Sequence, residues 1–255
     1  MKKLSGSVCL IVLAVFAGGS ASADDFKGFY IGANGGGAHN ESNAQTSTVF
    51  SPTGYFATTS VPAIATAGKQ ELTRNGFTGG GQAGYNYQRN RLLLGFETDF
   101  GGMSLSASKS STATYPCCAP TAFTINQIVS TNWLFTARGR VGFAHGPVLV
   151  YGTGGMAMTN LNYKTRFTDT FATAAESATV DSTQTGWIAG GGVEVRVSHE
   201  WSVKGEFLHA DFGSVSTTST NLTAFTPPIA FPTNVFTHAT DLTSNIFRTG
   251  FNFRF

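Results

Sequence analysis

The feature that most constrains this chain is a strict alternation of apolar residues with polar or small ones, repeated along most of its length. Alternation with a period of two is typical of β-strands that present two different faces. The clearest segments are residues 77–87, 92–100, 133–143, 187–197 and 247–255. Three weaker segments bring the predicted strands to eight, and these are residues 29–38, 148–163 and 201–212.

The connections between these segments alternate between short and long. The short ones are residues 88–91, 145–147 and 198–201, and the long ones are residues 40–74, 106–130, 165–184 and 214–240. This order places every long connection at one end of a closed sheet, as in outer-membrane barrels. The sequence therefore predicts an all-β fold, an eight-stranded antiparallel transmembrane up-and-down β-barrel with four long extracellular loops and three short periplasmic turns.

The charged residues of the predicted strands lie on the face opposite the aromatic and aliphatic one. A soluble barrel would turn the apolar face inward, whereas a membrane barrel turns it toward lipid. The membrane arrangement is favoured because the segments exceed the roughly 5–6 residues usual for soluble strands. The predicted interior charges are Glu97, Asp99, Arg138, Arg140, Glu194, Arg196, Lys204, Glu206, Arg248 and Arg254.

Opposite charges on adjacent predicted strands indicate a paired network inside the barrel, because buried charges are tolerated only when they are paired. We expect Glu97 and Asp99 to meet Arg138 and Arg140. A second set would join Glu194 and Arg196 to Lys204 and Glu206. Two interpretations stay open: a polar plug, or the gate of a narrow channel that favours anions because the basic residues outnumber the acidic ones.

The N-terminus has the layout of a secretory signal peptide. Basic residues at Lys2 and Lys3 precede an apolar stretch over residues 8–17, and Ala21 and Ala23 form a small-residue cleavage site. The apolar stretch is shorter than the roughly 18 residues of a membrane helix. We expect residues 1–23 to be removed and residues 24–255 to form one outer-membrane β-barrel domain.

Charge argues against a nucleic-acid partner. Charged residues make up 12% of the chain, about half the usual fraction. The formal charge of +2 comes from Lys2 and Lys3, so the processed chain is neutral and offers no general attraction to phosphate.

Two further groups of residues have side chains that could form a site. His209, Asp211 and Ser214 include the residue types of an acyl-transfer site, but Ser214 lies on the opposite face from the other two, so we expect no catalytic residues and no enzyme activity. Cys117 and Cys118 lack neighbouring ligands at metal spacing, so we expect no metal and no cofactor. Their state stays open among a disulfide between neighbours, cross-links between chains and free thiols.

The fourth long connection, residues 214–240, carries no charge between Ser214 and Thr240 and many apolar residues. It is either a contact surface for a partner or membrane, or a cap over the barrel mouth. The chain ends in an alternating strand with Phe251, Phe253 and Phe255. This ending is similar to the C-terminal signal with which outer-membrane proteins engage their assembly machinery.

Several motifs in order resemble the alphaproteobacterial outer-membrane immunogenic protein family, porin-like relatives of the OmpA-type barrel. One departure is His209, where the family would have Tyr. The motifs cover residues 28–32, 84–87, 95–99, 138–142, 151–155, 190–194, 204–208, 211–213 and 248–253.

The resemblance implies an envelope protein without established catalysis, in the outer membrane of a Gram-negative bacterium. It implies contact with outer-membrane lipid and lipopolysaccharide, and it allows a surface ligand at the loops. We therefore expect a structural, envelope-integrity or surface-interaction role. The alternatives are a small porin-like channel for small solutes and, more distantly, a lipid-modifying enzyme.

Overall fold

The computed structural model describes residues 26–255, so the predicted signal peptide and its cleavage site at Ala21 and Ala23 lie outside the described residues. Eight long strands and three short elements follow one another along the chain. They are β1 (Gly28–Thr48), α1 (Ser60–Ala67), β2 (Gln70–Arg89), β3 (Leu92–Thr114), β4 (Ala122–His145), β5 (Val148–Asp169), β6 (Ala175–Arg196), β7 (Trp201–Ser219), β8 (Thr223–Ala224), β9 (Ile229–Ala230) and β10 (Phe236–Arg254).

The eight long strands form a closed antiparallel ring. Neighbours along the chain pair from β1 to β7, and β10 pairs with both β7 and β1. The first and last strands meet at Tyr30 and Arg254, where the ring closes. The predicted eight-stranded antiparallel barrel is thereby confirmed. The described chain contains no helix with the length and apolar character of a membrane span.

Short turns lie at one end of the barrel, here called the turn end, and the longer connections lie at the other, the loop end. The turns are residues 90–91, 146–147 and 197–200, and the longer connections are residues 49–69, 115–121, 170–174 and 220–235. The expected bounds of the long connections are wrong. Strands of 19 to 24 residues occupy much of the sequence that was assigned to loops.

The outward faces explain this error, because each strand has two zones. In the membrane zone the outward side chains are apolar, and the strand segments are residues 29–37, 77–87, 92–102, 133–143, 150–158, 187–195, 201–209 and 247–255. In the outer zone, from there to the loop end, the outward side chains are mainly Ser, Thr and Asn, as at Ser104, Ser106 and Ser108 of β3. A strand rich in Ser and Thr resembles a loop in sequence.

The strand lengths show that the outer zone stands above the bilayer. The 22 residues of β5, at about 3.3 Å each and tilted by about 40°, reach roughly 50 Å along the barrel axis. The apolar band of such barrels is only about 25 Å tall. About half of the barrel wall therefore projects into water.

The ring divides into two sheets in the outer zone. Pairing between β2 and β3 ends at Phe77 and Ser104, and pairing between β6 and β7 ends at Trp187 and Asp211. Beyond these points β7, β10, β1 and β2 form one sheet, and β3, β4, β5 and β6 form the other. Apolar side chains such as Leu105, Val129 and Leu161 fill the space between the two sheets. The outer zone is thus built like a soluble sandwich.

Three strand pairs shift register at the border between the zones, and one of these shifts, of β3 against β4, lies between Gly102 and Leu105. The register of β7 against β10 shifts beside Gly213, whose φ of +70° lies in the left-handed region. The register of β4 against β5 shifts beside Asn132, and Asn160 Oδ1 accepts hydrogen bonds from the backbone N–H groups of Asn132 and Trp133 at 2.9 and 3.4 Å. Such bulges bend a strand and change which residues face inward.

We predict that Gly213→Ala destabilises the barrel by about 1–2 kcal/mol, because a side chain disfavours the left-handed backbone conformation. A Cβ atom at Gly213 would meet nothing within 4 Å, so the cost is conformational. The measurement is urea-dependent unfolding in lipid vesicles.

Gly205→Ala is the matched control, since Gly205 also lies in β7 with open space around its Cβ position but does not have a positive φ. It should change the free energy of unfolding by less than about 0.5 kcal/mol. Equal effects of the two substitutions would contradict the assignment of a strained bulge.

Candidate functional site

A network of buried charges crosses the lumen of the membrane zone. Its members are formally neutral together, with four acidic and four basic side chains, each with 4% or less of its side-chain surface exposed. Five strands contribute to it: β3, β4, β6, β7 and β10. The side chains are Glu97, Asp99, Arg138, Arg140, Glu194, Lys204, Glu206 and Arg248.

Arg138 lies at the centre of the network. Its Nη2 atom is 2.5 Å from Glu97 Oε1 and 3.0 Å from Asp99 Oδ2, both on the adjacent strand. Its Nη1 atom is 3.0 Å from Glu206 Oε1 of β7, on the other side of the lumen. One guanidinium thus joins three carboxylates, as its fork of donors permits.

Lys204 and Arg248 complete the links across the lumen. Lys204 Nζ lies 2.7 and 2.8 Å from the two carboxylate oxygens of Glu97. Arg248 bonds Glu206 Oε2 through Nε at 2.8 Å and Asp99 Oδ2 through Nη2 at 3.0 Å. Each of these three carboxylates therefore has at least two cationic partners.

Two tyrosines that sequence reasoning missed add links between Arg140 and the other members of the network. Arg140 Nη1 donates to the Tyr30 hydroxyl at 2.7 Å, and that hydroxyl donates to Glu97 Oε2 at 2.8 Å. The guanidinium of Arg140 also lies 4.0 Å from the centre of the Tyr151 ring, and the Tyr151 hydroxyl donates to Glu206 at 3.1 Å. Tyr30 alternates with the outward residues Phe29 and Ile31 in β1, and this alternation could have placed its side chain in the barrel interior.

The structure brings the first expected set of charges together and rearranges the second. Glu97 is directly opposite Arg138 on the neighbouring strand. Glu194 is opposite Lys204 on the neighbouring strand, but its carboxylate bonds Arg140 Nη2 at 2.7 Å. Lys204 Nζ is 3.8 Å from Glu206 Oε2.

The two remaining predicted cations lie nearer the turn end than the network does. Arg254 Nη2 is 3.8 Å from Glu194 Oε1, and Arg196 is only half-buried. The excess of positive charge that motivated an anion channel is thus at the mouth of the barrel and not at its centre.

Apolar clusters lie in the barrel interior on both sides of the network. Phe26, Leu93 and Leu149 pack together toward the turn end. Toward the loop end, Met103, Leu208 and Ile246 begin the core that continues between the two outer sheets. Buried side chains thus lie along the axis from the turn end to the outer sheets, as expected of an eight-stranded ring.

Asp169 organises the loop end, and sequence reasoning missed it. Its Oδ2 atom accepts from the hydroxyls of Tyr55 and Tyr115 at 2.5 and 3.0 Å, and its Oδ1 atom accepts from the N–H groups of Ala174 and Ala172 at 2.7 and 3.3 Å. Burial raises the pKa of both tyrosines, which therefore stay protonated as donors. Three of the four connections meet at this carboxylate.

His238 is a second buried polar centre in the outer zone. Its Nε2 atom is 3.2 Å from Glu176 Oε1, and its Nδ1 atom is 3.0 Å from Thr46 Oγ1. All three residues are buried between the sheets. The sequence offered no signal for this contact, because each partner fell in a segment assigned to a loop.

The other residues weighed from sequence have separate surroundings. His209 Nδ1 is 2.8 Å from Asn245 Oδ1, and Asp211 accepts from the backbone N–H of Gly213. Ser214 is exposed beyond the bulge. Cys117 and Cys118 form a disulfide between neighbours.

Residues 214–240, the uncharged connection, supply both a buried cap over the barrel and an exposed apolar surface. Leu222 and Phe236 are buried in a cap with Phe56, Ile64 and the first residues of β4. Phe225 and Ile229 of the same connection are exposed at the loop end.

Two known outer-membrane proteins are similar to this chain in sequence. The chain is 36% identical over 149 residues to the 31 kDa outer-membrane immunogenic protein of Brucella melitensis, an alignment that covers 58% of each protein. It is 26% identical over 139 residues to the 22 kDa outer membrane protein of Rhizobium leguminosarum, covering 54% of each. The chain thus spans little more than half the length of these relatives. The similarity to the Brucella protein confirms the resemblance to the immunogenic family.

Among solved structures, Ail, the attachment invasion locus protein of Yersinia pestis, superposes over 90% of this chain and 99% of its own, with 10% identity and a TM-score of 0.36. The outer membrane protease OmpT of Escherichia coli covers 92% and 98%, with 9% identity and a TM-score of 0.41.

A family profile extends over nearly the whole sequence. The profile described as the outer membrane protein beta-barrel domain matches residues 8–255. Together with the closed ring of strands, this match identifies the chain as an outer-membrane protein that belongs to the outer membrane beta-barrel family.

Proposed function

We propose that this protein is a closed, non-catalytic barrel that contributes to the integrity of the outer membrane and presents its outer zone at the cell surface. The observation that carries the proposal is the neutral charge network across the lumen. Apolar layers on both sides of the network support a closed state.

The energetics of the network favour a permanent plug. Removing one partner from a buried ion pair typically costs about 3–5 kcal/mol, because the other charge stays buried without compensation. A passage along the axis would separate Arg138 from Glu206 and Lys204 from Glu97 together, since these pairs span the lumen.

Small residues in the interior do not leave the room that a channel would need. A Cβ atom at Gly84 would come within 2.4 Å of the Tyr30 ring, and one at Gly192 within 2.8 Å of the Tyr151 hydroxyl. The glycines make space for these tyrosines, which belong to the network. This arrangement favours a plug over the porin-like alternative.

We predict that residues 24–255, refolded into a planar bilayer, give no stable conductance steps, because the charges and apolar layers close the axis. A trimeric porin treated identically is the positive control. Folding is checked by the shift in electrophoretic mobility on heating. Reproducible steps from folded protein would overturn the closed barrel and support the channel.

We predict that Arg138→Met lowers the free energy of unfolding by about 3–5 kcal/mol, because three buried carboxylates lose a partner. Arg89→Met is the control, since Arg89 is exposed in β2 near the turn end, and it should cost less than about 0.5 kcal/mol. Both are measured by urea-dependent unfolding in lipid vesicles. A neutral Arg138→Met would show that the network does not stabilise the barrel.

The proposal includes partners that follow from the location. Outward aromatic and aliphatic side chains of the membrane zone would contact lipid, and the outer zone would stand among lipopolysaccharide headgroups. Phe251 and Phe255 expose 57% and 76% of their surface on the last strand, which suits recognition by the assembly machinery. The absence of catalysis is supported by the separate hydrogen-bond partners of His209 and Asp211.

Contact through the loops is the second candidate function, and the loop end favours it. Apart from the exposed Lys69 beside β2, the connections over residues 49–69, 115–121, 170–174 and 220–235 contain no Asp, Glu, Lys or Arg. Phe171 and Ile229 are more than half exposed there, and Phe225 is 44% exposed. An apolar surface without charge suits contact with another apolar surface.

We predict that Phe171→Ser with Ile229→Ser shortens retention of the intact protein in nanodiscs on a phenyl resin, because exposed apolar area is lost. Thr220→Ser with Thr233→Ser, exposed in the same connection, is the control and should elute as the wild type does. Unchanged retention of the first variant would contradict an apolar contact surface at the loop end.

A further inference from the structure

A seam separates β6 from β7 in the outer zone. Residues 177–185 of β6 and 213–218 of β7 have no ladder with each other, although each pairs with its other neighbour. The seam is closed at one end by the pair Trp187 and Asp211, and at the other by the pair Ala175 and Thr223. It is therefore a bounded window in the barrel wall, above the membrane zone.

The backbone of β6 presents its hydrogen-bonding groups to this window. The side-chain amide of Asn221 accepts from the Ser177 N–H at 3.5 Å and donates to the Ser177 carbonyl at 2.8 Å. An amide that both accepts and donates in this way pairs as a peptide group of an added strand would. At Ser177 the side chain of Asn221 thus takes the place that a neighbouring strand would have.

The alternation of an antiparallel strand extends this observation along the edge. If Ser177 points its N–H and C=O into the seam, every second residue does the same. Val197, twenty residues on, has the same phase, and its N–H donates to the carbonyl of Trp201, the first residue of β7. The backbone groups that point into the window are therefore those of Thr179, Asp181, Thr183 and Thr185.

Two valines lie in the floor of the window, beside the polar side chains of Ser182 and Gln184. Val180 of β6 and Val215 of β7 are partly buried and pack against the core between the outer sheets. The inward side chains of β6 beside the seam are half-exposed, whereas those of β4 and β5 at the same height are buried. A strand laid in the window would cover these side chains.

The second seam, between β2 and β3, is protected in a way that the first is not. Lys109 Nζ of β3 crosses it to the Glu71 carbonyl of β2 at 3.2 Å, and Arg74 is exposed beside it. Lysine on an edge strand is a known device against unwanted pairing. Residues 177–185 and 213–218 contain no Lys, Arg or Pro, and Asp181 is their single charge.

We propose that the seam between β6 and β7 binds an extended polypeptide segment, which adds to the edge of β6 as a strand. Backbone hydrogen bonds to Thr179, Asp181 and Thr183 would hold it. Alternate apolar side chains would cover Val180 and Val215, and a basic residue would face Asp181. The proposal is independent of whether the lumen conducts.

Strand geometry disfavours a second copy of this chain as the occupant. Strands of such barrels tilt by about 35–45° from the membrane normal. When two barrels in one membrane face each other through the same strand, the tilts oppose and the strands cross at about 70–90°. Such strands cannot form a ladder, whereas a free extended segment can follow the edge.

The test uses the intact protein in nanodiscs and a fluorescent synthetic peptide of alternating threonine and valine with a central lysine. We expect saturable binding, with slowed amide hydrogen exchange at Thr179, Asp181 and Thr183. The same peptide with consecutive backbone nitrogens methylated, which cannot pair, should bind at least about tenfold more weakly, a loss of about 1.4 kcal/mol.

Two variants locate the site. Asp181→Lys adds the protecting charge found at the other seam, and Thr183→Pro removes one N–H that points into the window without breaking the ladder with β5. Each should weaken binding at least about tenfold, and heat-shifted electrophoretic mobility verifies that both fold. Absent binding, equal binding of the methylated peptide, or wild-type affinity in both variants would overturn the proposal.

Discussion

The pairing of charges across the lumen is the interaction on which the rest of this structure depends. Lipid on the outside leaves the strands only one place for polar side chains, and that place is a narrow interior without bulk water. Charges there are tolerated only as a neutral, mutually bonded set, which Arg138, Lys204 and Arg248 provide with their carboxylates. With the interior satisfied in this way, the outer face is free to be wholly apolar. Each strand of the membrane zone can then present phenylalanine, valine and tryptophan to the bilayer.

The sequence was sufficient for the part of the fold in which the two faces differ most. Strong contrast between aromatic and charged residues located the membrane zone, and the contact of Glu97 with Arg138 followed from adjacent strands of opposite sign. The outer zone was missed because its outward residues are Ser and Thr, whose patterns do not distinguish a solvated strand from a loop. Contacts such as His238 with Glu176 join residues far apart in the chain, and only the register of the strands brings them together. The bulge at Gly213 depends on a backbone angle that composition does not reveal.

The border between the zones is where two solvents impose different requirements on one wall. Below it the ring must be closed, because no unpaired backbone group is tolerated in hydrocarbon. Above it water can satisfy an open edge, and the wall separates into two sheets that pack on an apolar core. The same eight strands thus form a closed membrane barrel at one end and a two-sheet sandwich, as in soluble proteins, at the other. Bulges at Asn132 and Gly213 accommodate the change in curvature.

The uncharged loop end has a further consequence for the life of the protein outside the cell. Enzymes that digest surface proteins often select a lysine or arginine as the residue before the cleaved bond. Apart from Lys69, which directly precedes β2, residues 49–69, 115–121, 170–174 and 220–235 contain neither. The connections beyond Lys69 thus offer no scissile bond to trypsin-like proteases. The loops that reach furthest from the membrane thus contain few sites that this class of enzyme can cleave.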